Sequence, residues 1–266
     1  ERLAWLAVAL SLGMLGFAWA YITRQPMTND AQVMKFSILP PEKSSFGQIA
    51  VAPDGRHLAF TAGTGGKFQL WVRALDSTEA RALAGTQGAT LPFWSTDSRF
   101  IGFFADGRVK KIEFTGGPVQ TLYEAPLPSG GAWSRAGVIL FGQAAFGLLR
   151  ISATGGEVTQ MTTRDISRQE IAHSFPNFLP DGRHFLYAGD GKLMAAQASR
   201  GESFEVDAAV SLFEFRAGTH QVTFAPYAVT ADGQRFLINA VVETEPNAPL
   251  TVVVNWAAGA PKSNGK

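Results

Sequence analysis

The 266-residue sequence contains no cysteine, which excludes disulfides and thiolate metal sites and suits an oxidising compartment as well as the cytosol. It lacks an excess of either charge, with 23 Lys plus Arg against 22 Asp plus Glu and a net charge of +1. Without a basic stripe or an acidic block, no nucleic-acid partner is expected. Catalytic signatures are missing too. There is no Gly-rich loop followed by a strand Lys, no H-R-D-type loop and no D-F-G, so phosphoryl transfer is not expected of this chain. There is no G-x-S-x-G elbow and no H-E-x-x-H zinc site. The stretch "GTGGK" (Gly63 to Lys67) has Thr61 where a phosphate loop needs an earlier Gly, and Phe68 where it needs Ser or Thr. It reads as a hairpin loop. No catalytic residue, cofactor or metal ligand is assigned.

One long apolar run is present. Leu3 to Ile22, "LAWLAVALSLGMLGFAWAYI", carries no charge over 20 residues, and at about 1.5 Å per residue it matches a hydrocarbon core of roughly 30 Å. Residues 1–22 are therefore expected to form a transmembrane helix, with Trp5, Trp19 and Tyr21 at the interfaces. The Ala18-Trp19-Ala20 pattern gives a rival reading, a cleaved signal peptide, although the basic region before it is a single Arg2. Ala9 with Gly13 and Gly16 with Ala20 are small-xxx-small pairs that permit dimerisation through the span. Arg2 and Arg24 on its two sides give no orientation bias. Residues 23–33 read as a juxtamembrane linker, residues 34–259 as the folded body and residues 260–266 as a flexible tail. Glu1 in place of Met points to further chain upstream.

The body is all-β in pattern. Short apolar runs bounded by Gly, Asp, Pro and Ser recur, and no window sustains a helical period. The runs also repeat. "VAPDGRHLAF" (Val51 to Phe60), "WSTDSRFIGF" (Trp94 to Phe103), "WSRAGVILF" (Trp133 to Phe141), "FLPDGRHFLY" (Phe178 to Tyr187) and "VTADGQRFLI" (Val229 to Ile238) align on Asp54, Asp97, Ala136, Asp181 and Asp232. The spacings are 43, 39, 45 and 51 residues, close to one four-stranded propeller blade of roughly 40 to 50. Three positions before each centre stands Val51, Trp94, Trp133, Phe178 or Val229. After each turn, apolar residues fall at a period of two, as on one strand face. A second repeat, "IEFTGGPVQTL" (Ile112 to Leu122) and "ISATGGEVTQM" (Ile151 to Met161), reads as a strand, a Gly-Gly hairpin and another strand. Each blade is then an inner strand, a turn, a middle strand, a third strand, a hairpin and an outer strand. The expected fold is a β-propeller of about five four-stranded blades, with "VVVNW" (Val252 to Trp256) and "MKFSILP" (Met34 to Pro40) supplying the third and outer strands of the last.

On these residues the chain resembles the TolB-like, WD-repeat-like propellers with "PDG-R-x-aromatic" blades, and especially those attached to bacterial transmembrane serine/threonine protein kinases. The resemblance covers Met34 to about Gly259 and rests on "APDGRHLAF", "LWVRALDSTEARAL", "GATLPFWSTDSRFIGFFADGRVKKI", "GGPVQTL", "FLPDGRHFLY", "DGQRFLIN" and "LTVVVNWAAG". It implies a cytoplasmic kinase domain upstream, one helix in the inner membrane and a periplasmic, non-catalytic propeller that senses a ligand or binds a protein. The kinase is not in this sequence, and the region after Tyr187 looks short beside related chains.

The repeat also sorts the polar residues. His57 and His184 occupy one repeat position and are architectural. The turn Asp is read as a backbone cap and Trp94 and Trp133 as core. His173 and Asn177 in "EIAHSFPNF" precede the inner strand of the fourth blade, where propellers expose a channel mouth, and are the candidates for contact with an unknown protein or small ligand. The competing reading is a pair that completes buried hydrogen bonds.

Overall fold

The computed structural model describes residues 34–168, 170, 172–179, 181–189, 191–198, 206–214, 225–229, 235–238 and 250–254. The apolar segment Leu3–Ile22, the linker 23–33, the tail 260–266, His220, the fifth turn at Asp232 and Trp256 lie outside the described residues. Among those described, no helix is long and apolar enough to cross a membrane.

The chain divides into two compact units. In one, β1 (Met34–Ile38) pairs with β20 (Leu250–Val254) in a two-stranded sheet. The two segments expected to share the last blade are thus hydrogen-bonded neighbours.

The other unit, Ile38–Leu250, is built of consecutive antiparallel sheets. The first contains β2 (Ser45–Val51), β3 (His57–Thr64), β4 (Lys67–Ala74) and β5 (Ala80–Ala82). The second contains β6 (Thr90–Trp94), β7 (Phe100–Ala105), β8 (Arg108–Glu113) and β9 (Gln120–Glu124). The third contains β10 (Pro128–Trp133), β11 (Val138–Gln143), β12 (Leu148–Ser152) and β13 (Thr159–Gln160). The fourth contains β14 (His173–Phe178), β15 (His184–Gly189), β16 (Lys192–Gln197) and β17 (Val210–Glu214). A two-stranded sheet of β18 (Tyr227–Val229) and β19 (Phe236–Ile238) follows.

Strand order equals chain order in every sheet of this unit, as expected for blades. The fourth is complete, so the region after Tyr187 is not shortened at its hairpin. Gly189 pairs with Lys192 across a two-residue turn, as Ala105 pairs with Arg108 in the second sheet. "GTGGK" is a hairpin of the same kind, with Thr64 opposite Lys67 and Gly65 and Gly66 at φ 61° and 78°, a region open to glycine because it has no Cβ.

The middle strands are buried on both faces, because each sheet is covered by the next. Leu58, Ala59 and Phe60 are all inaccessible, as are Ile139, Leu140 and Phe141. Between the first two sheets Leu70 and Leu83 pack with Trp94, Ile101 and Phe103. Phe104 and Val109 then meet Trp133, Ile139 and Phe141, and Leu140 and Leu148 meet Phe185 and Tyr187. Phe175, Leu186 and Leu193 meet Tyr227, with Phe236 alongside. This stacking explains the runs of consecutive apolar residues, where a sheet with one wet face would alternate.

Candidate functional site

The inner strands β2, β6, β10 and β14 share one irregularity. Each ladder gains one residue on the inner strand, between Phe46 and Ile49, Thr90 and Phe93, Pro128 and Gly131, and Ser174 and Asn177. Such bulges bend a strand and re-aim its side chains. In three of the four, the residue three positions before the repeated apolar one has positive φ, namely Leu91 (51°), Gly130 (99°) and Phe175 (53°). Gly130 suits that conformation, whereas Leu91 and Phe175 hold it at a cost of about 1–2 kcal/mol each. Both are held from a neighbouring sheet. The Leu91 N–H donates to Gln48 Oε1 at 3.2 Å, and the Tyr227 hydroxyl donates to the Phe175 carbonyl at 2.7 Å. Burial pushes the Tyr227 phenol up, so the hydroxyl keeps its proton.

Beyond the bulges the inner strands line a cavity of about 570 Å³. All five repeated apolar residues, Val51, Trp94, Trp133, Phe178 and Val229, line it. The bulged segments add Pro92, Phe93, Gly131, Pro176 and Asn177, and the turns add Pro53, Thr96, Arg135 and Gly182. Trp94 and Trp133, read as core, are core and cavity wall at once, whereas Val51 at the same repeat position is 44% exposed. Trp94 and Trp133 pack between sheets, are 7% and 8% exposed, and present that remainder at the wall.

Asn177 lines the cavity. His173, four residues earlier on the same strand, does not belong to the lining and sits in a buried network. Its Nδ1 is 2.7 Å from Thr162 Oγ1 and its Nε2 is 3.2 Å from Glu170 Oε2, while its ring lies 4.7 Å from that of Tyr187. Thr162 Oγ1 accepts from the Leu148 N–H at 2.8 Å. In the first sheet Thr86 Oγ1 likewise accepts from the Leu70 N–H and donates to the Leu83 carbonyl at 2.6 Å. By that parallel the Thr162 hydroxyl donates to His173 Nδ1, which leaves the ring proton on Nε2 for Glu170. Burial, only partly offset by Glu170, holds the His173 pKa below its ordinary value, and burial raises that of Tyr187 to about 12.

The turns at the end of the inner strands use their carboxylates internally. Asp54 Oδ1 accepts from the Arg56 N–H, Asp97 Oδ1 from Arg99, and Asp181 Oδ1 from both Arg183 and His184. Asp181 also contacts His184 Nδ1. Burial works against ionising Asp97 and Asp181, but hydrogen bonds from Ser95 and Arg99, and from His184, outweigh it and hold both carboxyls below the usual range. In the third turn Ala136 replaces the Asp, and Ser134 Oγ accepts from the Val138 N–H at 3.1 Å, as Ser95 Oγ accepts from the Phe100 N–H in the second. The His57 ring lies 4.7 Å from that of Phe114, tilted by 52°. Among the described residues no group of three or more His, Cys, Asp or Glu could hold a metal.

The sequence reading missed Arg135 and the bulge residues as parts of one wall. A signal was present, since Pro92 and Pro176 stand inside strands, where proline is confined to edges and bulges.

No protein-family model matches the sequence, and no curated protein matches it. Solved structures do. A protein assigned to TolB from Agrobacterium tumefaciens superposes with a TM-score of 0.52 at 15% identity over 62% of this chain and 64% of its own. TolB from Acinetobacter baumannii gives 0.54 at 13% identity over 78% of this chain and 51% of its own. The β-propeller domain of Cps50 (Swd1) from Myceliophteria thermophila gives 0.57 at 13% identity over 81% and 73%. The chain thus spans less than two thirds of either TolB structure. At these identities the likeness is one of fold, and the fold is that of TolB-like and WD-type β-propellers.

Proposed function

We propose that this chain is a non-catalytic recognition propeller, the outer, periplasmic region of a receptor-like serine/threonine protein kinase anchored in the inner membrane by Leu3–Ile22. One observation carries the recognition role. The repeated apolar position of all five repeats and the bulged segments of three inner strands, at Pro92, Gly131 and Pro176, converge on one cavity, two of those bulges being held in strained backbone from neighbouring sheets. Strain kept at a cavity wall is what preorganised binding sites tend to store. The absence of catalytic motifs in the sequence agrees with binding rather than turnover. Dimerisation through the span would let occupancy bias an attached kinase, provided the ligand favours one of two states.

A second reading has its own support. The fold likeness to TolB, together with the Ala18-Trp19-Ala20 pattern, favours a periplasmic interaction module, released or anchored by its N-terminal segment. The coding sequence upstream of Glu1 separates the two, since a kinase domain there supports the receptor and a nearby initiator codon supports the module. Recognition itself is tested by partner capture from an envelope extract, comparing the full chain with Thr96→Trp, which fills the rim from an exposed position. Capture lost in the variant supports the cavity, and capture unchanged by it refutes the cavity as the binding site.

A further inference from the structure

We infer that the cavity takes a small amphipathic carboxylate, an apolar or aromatic body with one anionic end, and that Arg135, Trp133 and Asn177 hold the carboxylate. This rests on the recognition role proposed above and adds the ligand's chemistry. The wall is mainly apolar, with prolines and the rings of Phe93, Trp94 and Phe178. Its volume of about 570 Å³ falls in the range of small-molecule sites, roughly 300 to 1,000 Å³.

Besides the exposed hydroxyl of Thr96, three polar side chains on this wall can donate hydrogen bonds. Trp94 and Trp133 occupy the same repeat position, yet they differ. The Trp94 Nε1–H donates to the Ala50 carbonyl at 2.9 Å, whereas the Trp133 Nε1–H has no acceptor among the described residues. The Asn177 amide and the Arg135 guanidinium, both in the lining, also have no hydrogen-bond or acidic partner among the described residues. An indole nitrogen and a guanidinium only donate, and an amide can donate as well, so the three together call for an acceptor with negative charge.

At the rim no turn carboxylate stands next to Arg135 in sequence. At the other described turns an Asp occupies the position after the one that Arg135 holds in its own turn, and its carboxylate is used by the turn backbone. The third turn has Ala136 instead and is closed by Ser134. The blade that lacks the acidic turn residue is thus the one that puts a cation on the cavity.

The test uses the full chain in lipid nanodiscs and the ¹⁵N–¹H signal of the Trp133 indole, identified by its disappearance in Trp133→Phe. Titration with 2-naphthylacetate should shift that signal saturably, and 2-naphthylacetamide should need at least roughly tenfold more, the factor expected for hydrogen bonds to a charged group. Arg135→Gln, at an exposed position, should weaken the acid roughly tenfold and leave the amide unchanged. Equal binding of acid and amide, or an acid affinity indifferent to Arg135→Gln, overturns the carboxylate assignment while the recognition cavity stands. Absence of saturable binding by either compound overturns the small-ligand assignment, and partner capture then judges the recognition role alone. A peptide with a free terminal carboxylate, N-acetyl-Phe-Phe, binding more than tenfold tighter than the naphthyl acid would also overturn it, in favour of a polypeptide ligand.

Discussion

The indole nitrogen of Trp94 donates a hydrogen bond to the carbonyl of Ala50, 2.9 Å away on the preceding inner strand. The same ring packs into the core between the first two sheets and forms part of the cavity wall. One side chain therefore joins two blades and shapes the site between them. Trp94→Phe keeps most of the packing and should cost about 1–2 kcal/mol, whereas Trp94→Ala should cost about 3–5 kcal/mol. Urea denaturation of the two variants followed by circular dichroism checks the order, and equal losses would show that the hydrogen bond and the ring are not separable contributors.

Gly131 faces the ring of Phe93 across the gap between the second and third sheets. A Cβ at Gly131 would come within 2.5 Å of Phe93 Cε1, closer than packed atoms allow. Gly131→Ala should therefore push the Phe93 ring into the cavity and cost about 1–3 kcal/mol. The expected result is lower stability together with weaker binding of any cavity ligand. Unchanged binding affinity in this variant would place the ligand elsewhere.

Thr86 is fully buried, and its hydroxyl links the Leu70 N–H to the Leu83 carbonyl. Thr86→Val retains the shape and strands the Leu70 N–H, a loss of about 1–3 kcal/mol, while the Leu83 carbonyl still accepts from Gln69 Nε2 at 2.9 Å. Thr86→Ser retains the bonds and gives up one methyl, about 0.8 kcal/mol. Thermal unfolding should rank serine above valine, and the reverse order would assign the site to packing alone.

His173 gives the fold a pH dependence of defined sign. Burial holds its folded pKa below the ordinary value of 6.5, so the unfolded chain binds the extra proton first. Its contribution is intact above about pH 6.5 and is lost as pH falls toward and through the folded pKa. Glu170 faces it and opposes the shift, and Arg164 adds to it. The full chain should lose stability from pH 7 to 5, and His173→Gln should flatten that slope. A slope unchanged in the variant would exclude His173 as its source.

The repeat made the blades legible, because four-stranded sheets with buried middle strands impose a recurring turn and a recurring apolar register on the sequence. The turns after the inner strands followed from it, whereas the Gly-Gly segments lie in longer connections, with Lys111 opposite Gln120 and Arg150 opposite Thr159, and His173 and Asn177, expected ahead of the inner strand, lie within it. The cavity was less legible. Val51, Trp94, Trp133, Phe178 and Val229 were visible as a repeated position, but a period of two distinguishes faces of a sheet and not which edge looks onto an opening. The bulges were marked only by prolines and glycines whose meaning depends on which strand is innermost. His173 and Asn177 lie on one strand and were named together, yet the bulge between Ser174 and Asn177 separates the network around His173 from the wall that holds Asn177.

The end of the inner strands, and not another surface, is proposed to meet the ligand or partner. Site-specific photocrosslinking in cells tests it most directly, with a benzophenone amino acid placed at Thr96 on the cavity rim or at Ile166, which is 76% exposed and outside the lining. A discrete crosslinked product is expected from position 96, disappearing with Gly131→Ala, and none from position 166. A product from position 166 alone, or one from position 96 that persists with Gly131→Ala, would contradict it.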